Sequence, residues 1–212
     1  MPHNPNEKLP SVTKILKEML PEPPGLKIWK QRTPQWETVF KEKACVGTLV
    51  HYRILNKLCT EELESPNIQI SEYPKDIVSI VENALAMWDS LNLEVEPIEV
   101  EQFHKNEKYC GTLDLLGVYE DEVILFDLKT SKTVYDTHLL QLGGYAGLLD
   151  NYPDGGMVIS IHPFLETNPD LNVKTKKIDS SKLYKYTEEF NILVDKWYDA
   201  ENYRKEICGG FN

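Results

Sequence analysis

Residues 111–132 read GTLDLLGVYEDEVILFDLKTSK. Two strand-like runs, 111–119 and 122–129, flank the dipeptide Glu120-Asp121. The second run is apolar on both faces from Val123 to Phe126, as in a central strand covered on two sides. It then carries an acid and a base two residues apart, Asp127 and Lys129. Residues i and i+2 share a face of a strand, so this pair points one way while Phe126 and Leu128 point the other. If Glu120-Asp121 makes a two-residue turn closed by Tyr119 and Glu122, Asp114 lies directly across from Asp127, with β-carbons roughly 4.5–5.5 Å apart. Glu-Asp is not a favoured pair for such a turn, and a longer loop or a bulge would shift that register.

Two carboxylates that close repel one another, and one tends to keep its proton. A divalent cation removes the conflict, because carboxylate oxygens and waters suit magnesium. Lys129 beside that cation fits a reaction on phosphate, stabilising charge on the phosphoryl oxygens or holding the attacking water. An isolated D-x-K is commonly a surface ion pair. Here it ends an apolar strand, where charge is costly unless paired or metal-bound.

Outward from this segment, the elements alternate. Ser11 caps a short helix, Val12–Leu20, ahead of Pro21, in a stretch with seven prolines by Pro34. Residues 36–58 read as a helix, with a break possible at Gly47 and with Trp36, Val39, Phe40, Val50, Ile54 and Leu58 inward. Pro74 to Leu91 is a second long helix, since Ile77, Ile80, Val81, Leu85 and Trp88 recur at three and four. Residues 96–104 alternate as a strand. Residues 137–149 read as a helix despite Gly143-Gly144. Strands follow at 156–162 and 172–178, the latter polar and edge-like, and a helix at 181–207 ends at Gly209-Gly210. This is an α/β chain, a mixed β-sheet flanked by α-helices, read as one domain over 1–212. Residues 1–9 form a loose tail, 10–92 a mainly helical part, 96–179 the sheet core and 181–207 the last helix.

The bulk numbers exclude several classes. With 212 residues, 41% hydrophobic and 27% charged, the chain has the profile of a globular protein large enough for a full core. No apolar run reaches the roughly 18 residues of a membrane helix. The opening MPHNPNEKLP has no basic start leading into an apolar run, so no secretory leader is expected. Cys45, Cys59, Cys110 and Cys208 make no CxxC pair, which argues against a zinc knuckle, and a reduced cytosolic setting is expected. The net charge of −11 repels nucleic acid in general, so DNA would need a local basic patch.

The ordered set G-T-L-D-L-L-G (111–117), I-L-F-D-L-K-T (124–130) and Q-L-G-G-Y (141–145) resembles the PD-(D/E)XK nuclease superfamily, in its RecB-like exonuclease branch. That branch carries GxxD, a hairpin, DxK and a helix with QxxxY. It also carries GxxxH in an earlier helix, matched here by Gly47 to His51, and phage and viral members open like P-S-V-T-K-I-L (10–16). The resemblance implies a restriction-endonuclease-like core and hydrolysis of DNA phosphodiesters. Asp114 and Asp127 would bind magnesium or manganese with the Leu128 carbonyl. His51 would add a ligand or contact a second ion. Glu101, with Glu99 second, would be the acid of the preceding strand. Lys129 would position or activate the water, and Gln141 and Tyr145 would face the site and steady the lysine or a DNA phosphate.

Some relatives hold an iron–sulfur cluster through three clustered late cysteines. Here only Cys208 is late, so no cluster is expected. An exonuclease of recombination, repair or viral genome processing leads the expectations, in the cytoplasm, or the host cytoplasm if viral. A structure-selective or restriction-like endonuclease and a non-catalytic DNA-binding relative are the alternatives. Oligomeric state stays open. Lys14, Lys17, Lys27, Lys30, Arg32, Lys129, Lys132, Lys174, Lys176 and Lys177 would form a positive groove if they converge. Trp29, Trp36 and Tyr135 would be the residues to stack bases.

Overall fold

The computed structural model describes residues 8–59, 62–66, 76–164 and 172–209. Along them run α1 (Val12–Met19), α2 (Pro24–Arg32), α3 (Trp36–Leu58), α4 (Ile77–Ser90), β1 (Glu96–Val100), β2 (Phe103–Lys105), β3 (Cys110–Thr112), β4 (Leu115–Tyr119), β5 (Glu122–Lys129), α5 (Asp136–Ala146), β6 (Gly155–Ile161), β7 (Val173–Asp179) and α6 (Ser180–Gly209). Five strands form one sheet in the order β1-β4-β5-β6-β7. Only the β5–β6 pair is parallel, joined through α5, so the sheet is mixed. The architecture is α/β, a mixed sheet flanked by helices and compatible with a restriction-endonuclease-like core.

Strand alternation divides the core into two layers. Leu115, Ile124, Phe126, Leu128, Met157 and Ile159 pack with α3 and α4. Leu116, Leu125, Val158 and Ile178 pack with α1, α5 and α6. The polar β7 is an edge strand, as its sequence suggests. Ser11 caps α1, its hydroxyl accepting from the Lys14 N–H at 3.1 Å.

Several expectations need correction. The strand expected over 96–104 splits into β1 and β2, because Glu101 adopts a left-handed conformation with φ 51°. The run 111–119 splits likewise into β3 and β4. Backbone bonds from Glu101 N–H to the Asp114 carbonyl (2.9 Å) and from Leu113 N–H to the Gln102 carbonyl (3.0 Å) hold the kink. The β2–β3 ribbon thereby forms a separate two-stranded sheet. α3 runs unbroken through Gly47. Phe40, expected inward, is 52% exposed, because α3 makes buried contacts only from Cys45 onward. α2 has no counterpart in the sequence reading; Pro24 at its first turn suits a helix start. α4 begins at Ile77, and Pro74 lies outside the described residues, as does most of the 1–9 tail.

The two glycines of α5 are explained by close packing. A Cβ on Gly143 would lie 2.5 Å from the Tyr186 carbonyl carbon and 2.7 Å from the Thr187 nitrogen. Thr187 uses this approach to donate its hydroxyl to the Gly143 carbonyl at 2.9 Å. α6 is thus pressed against α5, which fixes the helix carrying Gln141 and Tyr145. Gly143→Ala must push two backbones apart and is expected to cost at least about 1–3 kcal/mol in urea denaturation. Gly25→Ala, in open space on α2, should be neutral or gain up to about 1 kcal/mol. Equal stabilities for the two variants would contradict this packing.

Candidate active site

The β4–β5 hairpin closes on Glu120 and Asp121, both left-handed (φ 54° and 63°), as a two-residue turn requires. The ladder pairs Tyr119 with Glu122 and continues to Leu115 opposite Phe126. This is the register the sequence suggests, with an unfavoured turn dipeptide tolerated. The ladder stops one pair before Asp114 and Asp127. A continued ladder would give the Leu128 N–H to Leu113, but the Asp114 side chain takes it instead, Oδ2 accepting at 2.7 Å. Asp114 therefore sits at a bend rather than in a regular cross-strand pair. One carboxylate oxygen is fixed by the backbone and the other faces His51, whose Nδ1 lies 3.7 Å from Oδ1.

Asp127 is 1% exposed. The Lys129 ammonium donates to its Oδ1 at 2.7 Å and lies 2.6 Å from Oδ2. That second contact is an ion pair rather than an aligned hydrogen bond, and Oδ2 has no other donor among the described residues. Lys129 also donates to the Leu128 carbonyl at 3.2 Å. Burial pushes the Asp127 carboxyl up to about 6; Lys129 opposes that shift and Asp114 adds to it. Burial works the same way on Asp114, but His51, Lys129 and the Leu128 N–H outweigh it and hold this acid below its ordinary range. Burial alone would depress His51, yet Asp114 raises it. Two acids in one site are thus split in opposite directions.

Helix packing delivers the remaining groups. A Cβ on Gly47 would lie 3.0 Å from Thr130 Oγ1, so α3 meets the end of β5 and carries His51 to the site. Gly111 lies against the Tyr145 ring, where a Cβ would come within 2.8 Å. Gln141 donates to the Tyr145 hydroxyl at 2.8 Å. Burial raises the Tyr145 phenol, and Asp127 and Asp114 add to the shift, placing it in their field. Glu101 is exposed but feels both Asp114 and His51, and its pKa is raised by burial and then by Asp114. Glu99 instead pairs with His104 at 2.7 Å.

His138 fits no motif in the sequence, yet it joins the site. It lies three residues before Gln141 on the same helical face, and helical spacing would have found it. Its ring accepts from the Tyr135 N–H at 3.3 Å, and burial, then Lys129, lower its pKa to about 4. Ser160 likewise fits no motif; it is fully buried and hydrogen-bonded to Ser131. Trp29 and Trp36 lie under lysine ammoniums, Lys43 and Lys30, while Tyr135 is 52% exposed.

Among the described residues no three His, Cys, Asp or Glu side chains gather into a ready metal cage. His51, Glu101, Asp114 and Asp127 are neighbours rather than a closed set. The buried Asp127 carboxylate, the adjacent Asp114 carboxylate and the Leu128 carbonyl are hard oxygen donors of the kind that fits magnesium or manganese.

No protein-family model matches the chain, and no curated protein matches it. Among solved structures, it is similar to a phage-related exonuclease from Haemophilus somnus 129PT. That likeness covers 93% of this chain and 96% of that one, with 13% identity and a TM-score of 0.43. It is also similar to SSO0001 over 70% of this chain and 73% of that one, with 18% identity and a TM-score of 0.30. At these scores neither likeness speaks to activity. No helix among the described residues is long and apolar enough to cross a membrane.

A carboxyl whose folded pKa exceeds its unfolded value binds more protons when folded, so its ionisation destabilises the fold as pH rises through that window. For Asp127 the window runs from its ordinary 3.8 to about 6. In chelator near pH 7.5, Asp127→Asn should raise stability by roughly 1–3 kcal/mol, the scale of such a shift. The gain should shrink as pH falls through this window and vanish at about pH 3, below the unfolded value, where the folded and unfolded carboxyls are both mostly neutral. Urea denaturation at the two pH values checks this; lost stability at the higher pH would contradict it.

Proposed function

We propose that this chain is a divalent-metal-dependent deoxyribonuclease of the PD-(D/E)XK superfamily, RecB-like branch, acting as an exonuclease. The observation that carries the reading is the buried Asp127 carboxylate, held by the Lys129 ammonium and set in the field of a second acid, Asp114. Lys129 offsets one of the two carboxylates, and two acids this close favour a further cation. Asp114, Asp127 and the Leu128 carbonyl would hold magnesium or manganese, with His51 and Glu101 at its edge. When bound, such an ion supplies Lewis acidity at the phosphoryl oxygen and a more acidic water.

The chain's own groups do the rest. The Lys129 ammonium, resting on Asp127 and the Leu128 carbonyl, is the donor for a scissile phosphate or the attacking water. Tyr145 accepts from Gln141, which leaves its own proton to donate, and its raised pKa keeps that proton in place. His51, favoured in its charged form, balances Asp114. The substrate would be DNA with free ends, and a cytoplasmic role in recombination, repair or viral genome processing goes with the family reading.

Purified protein should degrade linear DNA with magnesium or manganese, spare covalently closed circles, and stop in chelator. Lys129→Ala should slow cleavage by about 10²–10³-fold, the scale for removing one preorganised donor. Cut circles would make it an endonuclease. DNA bound but never cut under either metal would leave a non-catalytic binding protein and overturn the reading.

A further inference from the structure

Strand register places further lysines relative to Asp127 and Lys129. Across the parallel β5–β6 pair, Asp127 stands opposite Val158 and Lys129 opposite Ser160. Across β6–β7, Val158 stands opposite Lys176 and Ser160 opposite Lys174. Directly opposed residues share a sheet face. Two rows therefore cross one face: Asp127, Val158, Lys176 and Lys129, Ser160, Lys174. With strands about 4.8 Å apart, the two lysines of β7 start about 10 Å from the acid and base of β5.

What lies between them is ordered. Ser160 donates to the Ser131 carbonyl at 2.7 Å, and the two hydroxyls are 2.7 Å apart. That pins the loop carrying Lys132 over the middle of the second row. Lys176 reaches Asp136 in the first turn of α5 at 3.9 Å, tying its row to the helix of Gln141 and Tyr145. Lys177 belongs to the opposite face and is held by Glu120 (2.9 Å) and Glu122 (2.8 Å). Among the described residues Lys132 and Lys174 make no ion pair, and both are exposed.

We propose that Lys132, Lys174 and Lys176 form a phosphate track that leads one DNA strand from Lys129 to the edge of β7. The inference rests on the nuclease reading and adds the side of the site on which the strand lies. Charge argues for a polyanion: the chain as a whole is acidic, and this cluster continues the row of Lys129. Lys177, on the same strand but neutralised on the other face, plays no part.

The test is fluorescence anisotropy of a labelled single-stranded oligonucleotide with the full chain in chelator, across a salt series. Each phosphate contact contributes about 0.7 to the slope of log affinity against log salt for single strands, so Lys174→Gln/Lys176→Gln should lose about 1.4. Lys177→Gln should keep the wild-type slope. A double variant with the wild-type slope would overturn the track and leave the nuclease reading standing. A wild-type chain that binds no DNA, with metal or without, would remove both.

Discussion

Asp127 holds its charge at the end of the central strand, 1% exposed, between the lysine two residues on and the acid of the neighbouring strand. Neighbouring features make that charge tolerable. Lys129 folds back onto it instead of reaching solvent. Asp114 leaves the ladder, spends one oxygen on the Leu128 N–H and turns the other to His51. The kink at Glu101 supplies a backbone donor to the Asp114 carbonyl and releases the chain from the sheet at that point. A left-handed non-glycine residue costs on the order of 1–3 kcal/mol, and such residues persist where surrounding structure fixes them, commonly at functional sites. These devices reduce the cost of the buried charge without cancelling it, since burial still raises the Asp127 pKa.

Much of this was legible in the sequence. A hairpin with a two-residue turn has one register, so the pairing as far as Leu115 opposite Phe126 followed from counting, and the period of two put Lys129 beside Asp127. What counting missed was where the ladder would stop. That depends on whether a carboxylate or a carbonyl takes the Leu128 N–H, a choice made by electrostatics at the site rather than by strand propensity. The break at Glu101 was hidden for a related reason: alternation of Ile98 and Val100 against Glu99 and Glu101 reads as a strand, and only tertiary hydrogen bonds interrupt it. Gly143-Gly144 looked unfavourable for a helix, and nothing in the local sequence says that α6 needs the missing side chains. His138 was visible by spacing, but its relation to Lys129 was not.

The acidic composition and a DNA substrate are compatible once charge is read by position. Lysines at 174 and 176 alternate onto the face of the site, while Lys177 alternates away and is consumed by two glutamates. A strand's period of two thus sends lysines adjacent in sequence to opposite faces, Lys177 to its two glutamates and Lys174 and Lys176 to the face of the site. The net charge of −11 disfavours a polyanion over most of the surface, and under the proposed track this edge is the exception.

The central claim is that Asp114 and Asp127 are arranged for a divalent cation. The direct measurement is the stability of the metal-free protein as manganese is added, for the wild type and Asp114→Asn. A ligand that binds only the folded state adds about 2.7 kcal/mol at a hundred times its dissociation constant. The wild type should show that gain and the variant should lose it. A wild-type protein indifferent to manganese, or a variant that gains equally, would contradict it.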